Sequence, residues 1–234
     1  MSNFDAGMGF AGAAGGAGVV PGTAAERPVR HTRNDVLLAA VQILDTYGLP
    51  DLSMRRLAAA LDVQPSALYW HFPNKQTLLA TIADFIVDRA APVDSTNLTW
   101  QQTVLAQATA LRNALLAYRD GAEVVSSSLA LGLGAAGARE RIAGAIELAR
   151  AQNLSIDDAT AEATTMAILF LVLGQVWHEQ QRAQADALGV VAADAGAKPE
   201  DAAGPASADA NAFEAGIALI TAGLTQSVMG GLQS

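Results

Sequence analysis

An all-α fold is predicted, on three observations. Apolar residues recur at spacings of three and four along most of the chain, polar capping residues stand at the starts of those runs, and strand-type alternation is weak throughout. With 234 residues, 51% of them hydrophobic, the chain has material for one domain or two small ones with a sizeable core.

The elements follow in order. Val36, Leu37, Ala40, Ile43, Leu44 and Tyr47 mark a first helix that ends at Gly48. Ser53 is an N-cap for Met54 to Leu61, and Pro65 suits the first turn of a short helix reaching about His71. Asn74 caps a longer helix from Lys75 to about Ala91, with Leu78, Leu79, Ile82, Phe85 and Ile86 on its buried side. Further helices are expected at about 99–119, 121–131, 136–152, 157–182 and 212–230. Residues 1–26, rich in Gly and Ala and without periodicity, predict a disordered extension. Residues 186–211, built from Ala, Asp, Gly, Pro and Ser, predict a long flexible loop.

Composition excludes several function classes. Cysteine is absent, which removes disulfide frameworks, thiolate catalysis and cysteine–zinc sites. The apolar stretch Met166 to Gly174 falls short of the ~20 residues of a membrane span. No helix pairs a basic face with a strongly apolar one, so a membrane is not an expected partner. No basic segment precedes an apolar core at the N-terminus, so a signal peptide is not expected and a cytoplasmic location is. His31, His71 and His178 stand outside any metal-ligand or nucleophile motif, and no carboxylate pair is marked out by spacing. No enzyme activity, cofactor or metal is therefore expected.

The formal net charge of −9 argues against a nucleic-acid partner, since phosphate affinity comes from Lys and Arg. Its distribution argues the other way. Residues 27–91 hold Arg27, Arg30, Arg33, Arg55, Arg56, Lys75 and Arg89 against six aspartates, a net of +1, whereas residues 92–234 carry a net of −8.

Within the basic segment, Met54–Leu61 and Pro65–His71 are joined by Asp62-Val63-Gln64. Leu57, Ala58, Val63 and Leu68 fall where two steeply crossing helices need apolar contacts, the pattern of a helix-turn-helix. Asp62 occupies the position where glycine is usual, and Asp tolerates left-handed backbone better than most residues. The run LAAALDVQPSALYWHFPNKQTLL (57–79) resembles the DNA-binding signature of the tetracycline-repressor (TetR) family of bacterial transcription regulators. AAVQILDTYGLPDLSMRRLA (39–58) is similar to that family's first two helices. TWQQTVLAQATALRNALLAYRDGAEV (99–124) resembles the start of the regulatory domain in its tetracycline-responsive members. The likeness covers about residues 30–230, with 186–211 as a variable insertion.

The resemblance implies a DNA-binding domain over 27–75 with a basic arm, and a helical regulatory and dimerisation domain over 76–234. The second short helix would enter the major groove of double-stranded DNA, bringing Gln64, Ser66 and Ala67 to base edges; Gln pairs with adenine, and small residues contact the thymine methyl. The resemblance also implies that Tyr69, His71 and Lys75 reach phosphates or bases, with Arg55 from the preceding helix. Arg33, with Arg27 and Arg30, would add backbone or minor-groove contacts. Trp70 and Phe72 are read as core packing.

For the regulatory half, the resemblance implies a two-fold dimer and a ligand pocket. Phe213, Ile217, Ile220, Leu224 and Val228 form one stripe, which suits either a dimer interface with the 157–182 helix or an intramolecular core. The positions that hold tetracycline and magnesium in family members correspond to Ala91, Gln107, Leu111 and Val125, with His178 at or beside a metal-linked acidic position. Most of the groups that a hard cation needs are missing there. A lining of Gln107, Leu111, Val125, Ser128, Thr165, Ile168, Val172, Gln175 and His178 suits a hydrophobic small molecule. The expected function is a homodimeric repressor released from an inverted-repeat operator by such a ligand. The alternatives are a DNA-binding regulator governed by a protein partner or by no ligand, and a helical carrier or enzyme.

Overall fold

The computed structural model describes residues 31–189 and 205–230. The extension over 1–26 and the arm residues Arg27 and Arg30 lie outside the described residues, as does 190–204 of the expected loop. Among the described residues the chain forms nine α-helices and one 3₁₀ turn, with no strand.

Local chemistry sets the ends of the first elements. α1 (Arg33–Tyr47) opens on a capping box: the Thr32 hydroxyl accepts from the Asp35 N–H at 3.1 Å, and the Asp35 carboxylate accepts from the Thr32 N–H at 2.8 Å. Those bonds hold the Asp35 carboxyl below the ordinary aspartate range. Gly48, at φ +86°, ends α1 and leads into the 3₁₀ turn Leu49–Asp51. α2 (Met54–Ala60) is capped by Ser53, and Asp62 takes up the left-handed turn at φ 52°. A β-branched side chain is costly in that backbone region. Asp62→Val is expected to lower the urea-unfolding free energy by about 1–2 kcal/mol, and Asp62→Gly to leave it within about 0.5 kcal/mol.

α3 covers Pro65–Leu68, shorter than the helix expected through His71. Residues 69–71 continue as turns, with the His71 and Phe72 N–H groups both donating to Leu68 O. Pro73 disfavours helical backbone at Phe72 and so stops any extension. α4 (Lys75–Val87), capped by Asn74, ends before the expected Ala91. Its last turn tightens into bonds from Arg89 N–H to Ile86 O and from Ala90 N–H to Val87 O, and Pro92 excludes helix at Ala91.

The remaining helices are α5 (Trp100–Leu116), α6 (Gly121–Ala130), α7 (Ala136–Ala151), α8 (Asp158–Ala187) and α9 (Pro205–Gly230). The loop expected over 186–211 is therefore shortened from both sides, since helix occupies 186–187 and 205–211. Alanine is the best helix former and proline is favoured at a first helical position, so this composition continues helix as readily as it makes loop.

One main core runs through the described helices. α1, α2 and α3 form a small head around Val36, Leu44, Leu57, Leu68 and Phe72, and α5 to α9 form a body around Leu111, Val125, Ile142, Ile168, Val172 and Phe213. α4 joins them, packing on α1 and also on α5, α6 and α7. α8, 30 residues long, passes a length-and-hydropathy test for a membrane span. It packs against α5, α6, α7 and α9 as a core helix of the body.

The stripe on α9 resolves between its two readings. Phe213, Ile217 and Leu224 are buried within the chain, and Ile220 and Val228 pack against the same core. The exposed side of α9 presents Ala215, Ala218, Leu219 and Ala222 instead.

Candidate nucleic-acid interface and effector region

The head presents a short helix on a rigid base. Leu57, Ala58 and Leu68 are buried between α2 and α3, and the Val63 N–H donates to Ala58 O at 3.0 Å, which fixes the turn. Packing on that side leaves the other free: Gln64, Ser66 and Ala67 are all exposed on the outer face of α3. Tyr69 follows at 50% exposure, and Arg55 is exposed on α2. His71 is half-buried.

Two aromatic positions part company. Phe72 is fully buried, as expected, but Trp70 is 90% exposed. Beyond Leu68 the chain turns away from helical geometry, so inward placement of Phe72 directs Trp70 outward. Trp70 thus joins the exposed surface of the head, a residue that sequence reasoning assigned to packing.

The basic residues differ in freedom. The Arg33 guanidinium donates to Thr81 Oγ1 at 3.0 Å and lies 4.6 Å from the Phe72 ring centroid, so it is engaged between α1 and α4. Arg56 lies 3.9 Å from the Tyr47 ring centroid and pairs with Asp51. Lys75 Nζ reaches Leu49 O at 3.5 Å, a weak contact beside the start of α4.

Head and body meet at a buried carboxylate. Asp120, at the start of α6, is 5% exposed and has left-handed backbone at φ 55°. Its Oδ2 accepts from the Leu49 N–H of the head at 2.7 Å, and its Oδ1 accepts from Gln184 Nε2 of α8 at 2.6 Å. Gly48 lies against it, and a Cβ there would stand 2.9 Å from Asp120 Oδ2. One turn earlier on α8, Gln180 binds the same junction through Leu115 O, Tyr118 O and the Ala122 N–H. Asp120 lies in the quoted YRDGA run, yet its bridging role had no signal beyond an Asp before Gly.

In the body, the nine residues expected to line a ligand pocket divide. Leu111, Val125, Ser128, Thr165, Ile168 and Val172 are buried together in the core. The hydroxyls of Ser128 and Thr165 bond to Val124 O and Ala161 O of their own helices. Gln175 is half-buried and donates to Asp209 O at 2.7 Å, while His178 is exposed. Gln107 accepts at Oε1 from Arg141 of α7 at 2.8 Å.

Two larger cavities lie elsewhere, on the outer face of α6 and α8. One of about 470 Å³ is bounded by Ser126, Ala130, Phe170, Gly174 and Trp177. Its neighbour of about 370 Å³ is bounded by Ser126, Leu129, Met166, Phe170 and the paired Arg139 and Glu162. Phe170 is 62% exposed there, and Trp177 about half.

Comparison with known proteins follows the same division into head and body. Residues 36–82 match the family described as bacterial regulatory proteins, tetR family, and residues 91–228 match the tetracyclin repressor-like C-terminal domain. The class C tetracycline repressor protein of Escherichia coli is 35% identical over 159 residues, 66% of this chain and 68% of that protein. The class E repressor of Escherichia coli is 38% identical over 99 residues, and the matched stretch spans 46% of it. Among solved structures, Mycobacterium smegmatis BioQ superposes with a TM-score of 0.70 at 37% identity, covering 83% of this chain and 98% of BioQ. BioQ bound to its natural double-stranded DNA operator gives 0.66 at 36% identity, with the same coverage. Streptomyces coelicolor ActR in complex with (S)-DNPA gives 0.64 at 26% identity, covering 85% of this chain and 98% of ActR.

Proposed function

Because the chain belongs to the TetR family of bacterial regulatory proteins, we propose that this DNA-binding transcriptional regulator is a cytoplasmic homodimeric repressor, released from an inverted-repeat operator by a hydrophobic small molecule. The observation that carries this reading is the head surface. Gln64, Ser66, Ala67, Tyr69 and Trp70 stand exposed together on one short helix and its following turn, backed by a fully buried core. Small side chains admit the helix to a major groove, Gln supplies an adenine-pairing amide, and the tyrosine hydroxyl and flanking cations supply phosphate contacts. Two such heads must be held about 34–36 Å apart to enter successive major grooves on one face of DNA.

A dimer is supported by the apolar side of the body. Phe170 and Trp177 on α8, and Leu219 at 75% exposure on α9, are large side chains turned away from the core beside small ones such as Gly174 and Ala222. A ligand-bound relative with the same fold supports effector control. The tight packing of Leu111, Val125, Ile168 and Val172 implies that an effector entering there must part α5, α6 and α8. Release then requires that the effector bind the mismatched arrangement of heads better than the matched one.

The test is selection of genomic DNA fragments by the purified protein. The selected fragments are expected to contain an inverted repeat, to be retarded in a gel by a species of twice the chain mass, and to be released by lipophilic compounds in a screen. Binding as a single chain, or to DNA without sequence preference, would count against the reading.

A further inference from the structure

The turn that closes α4 is held by a side chain from another helix. Arg141, half-buried on α7, donates from Nη2 to Ala90 O at 2.5 Å and from Nη1 to Ala91 O at 3.2 Å. The same Nη1 donates to Gln107 Oε1 on α5 at 2.8 Å. Arg141 therefore touches three segments at once: the end of α4, the middle of α5 and α7 itself.

Three further observations give this contact weight. α4 has no basic residue in its own last turn, and Asp88 stands at its C-cap, where a negative charge opposes the helix dipole. The Arg141 guanidinium from α7 adds positive charge at this end of the helix, beside that of Arg89, which donates from Nη1 to Phe85 O at 2.9 Å. Among the described residues, Arg112, Arg139, Arg150 and Arg182 of the body each pair with a carboxylate, whereas the partners of Arg141 are neutral oxygens. Its charge is thus directed onto backbone carbonyls and one amide instead of being cancelled by an acid.

We propose that Arg141 is the positioning residue through which the body sets the tilt of α4, and that Gln107 governs the hold by fixing the guanidinium in place. This inference rests on the regulator reading above and deepens it, because α4 connects the DNA-binding head to the body. With Arg141 engaged, the end of α4 has one position against α5 and α7. With it disengaged, α4 samples several positions, and the fraction of molecules whose heads match the operator falls. An effector that contacts Gln107 acts on α4 through this one side chain.

The test measures affinity for the selected fragment and for a non-operator duplex by fluorescence anisotropy. Arg141→Ala is expected to weaken operator binding about tenfold with non-operator affinity unchanged, as a coupling of ordinary size requires. Arg141→Lys, which keeps the charge but loses the two-pronged donor, is expected to recover about half of that loss on a logarithmic scale. Gln107→Ala is expected to cost about threefold, and the double substitution no more than Arg141→Ala alone, because both act through one contact. Unchanged operator affinity in Arg141→Ala overturns the inference, as does an equal loss in Arg139→Ala, which removes a surface pair with Glu162. Should thermal unfolding show that Arg141→Ala does not fold, Arg141→Lys and Gln107→Ala decide the matter, and unchanged affinity in both overturns it. Selection of no fragment by the unsubstituted chain overturns the regulator reading and this inference together. A selected fragment bound equally by every variant overturns this inference alone.

Discussion

Replacing Tyr69 and Lys75 together with alanine is expected to reduce operator affinity about 1,000-fold or more, from two contacts of about 1–1.5 kcal/mol each in each of the two heads of the proposed dimer. Tyr69 is half exposed and Lys75 makes only one long contact inside the head, so neither change should disturb the fold. Lys75 also lies at the start of α4, where unpaired backbone N–H groups add to the attraction for a phosphate. Anisotropy titrations at several salt concentrations separate the two contributions. Loss of the lysine should lower the dependence of log K on log salt by about one unit per head, whereas loss of the tyrosine should leave the slope unchanged. Operator binding within threefold of the unsubstituted protein would remove these residues from the reading surface.

Asp120→Ala is expected to destabilise the protein by about 2–3 kcal/mol, because truncation leaves the Leu49 N–H and the Gln184 amide without partners in a buried site. The substitution also places alanine in left-handed backbone, which aspartate tolerates better. Asp120→Asn should cost about 1 kcal/mol. An asparagine oxygen still accepts from Leu49, and Gln184 can turn its amide to accept from the asparagine NH₂. Urea unfolding monitored by circular dichroism distinguishes these values. An alanine variant as stable as the parent would show that the carboxylate does not hold head to body.

The head was largely legible in the sequence because its signals are local. Ser53 and Asn74 cap the helices they were expected to cap, and Asp62 adopts the left-handed turn its position required. Phe72 was legible as core, but Trp70 was not legible as surface, since an aromatic residue near a helix end carries the same pattern either way. The stripe on α9 was plain in the sequence while its partner was not. Periodicity reports which face is apolar, and only the tertiary contacts show that α8 and the core claim it within one chain.

The body was harder to read for a physical reason. Leu111, Val125, Ile168 and Val172 were identified as inward-facing and are buried, but an inward face does not reveal whether it encloses space. That depends on how closely several helices approach, a property spread over many side chains. Arg141 left only a faint trace: a cation one residue before Ile142, on the margin of the apolar side of its helix. Its partners are backbone carbonyls fifty residues away, to which no side-chain pattern can point.

Gly134 meets α4 so closely that a Cβ there would lie 2.7 Å from Ala80 O. On the same side, the Asp84 carboxylate accepts from the Ala135 N–H at 2.6 Å. Close contact at that point opposes sideways sliding of α4, so in the proposed regulator the crossing serves as a fulcrum for its tilt. At 1.5 Å rise per residue, the arm from Ala80 to Lys75 is about 7.5 Å and the arm from Ala80 to Val87, the last residue of α4, about 10.5 Å. A displacement of about 1 Å at the body end therefore becomes about 0.7 Å, in the opposite direction, where the helix enters the head. The mechanical advantage runs against travel and in favour of force. In the proposed dimer, a small, firmly driven shift at the short arm changes the spacing of the two heads on the operator.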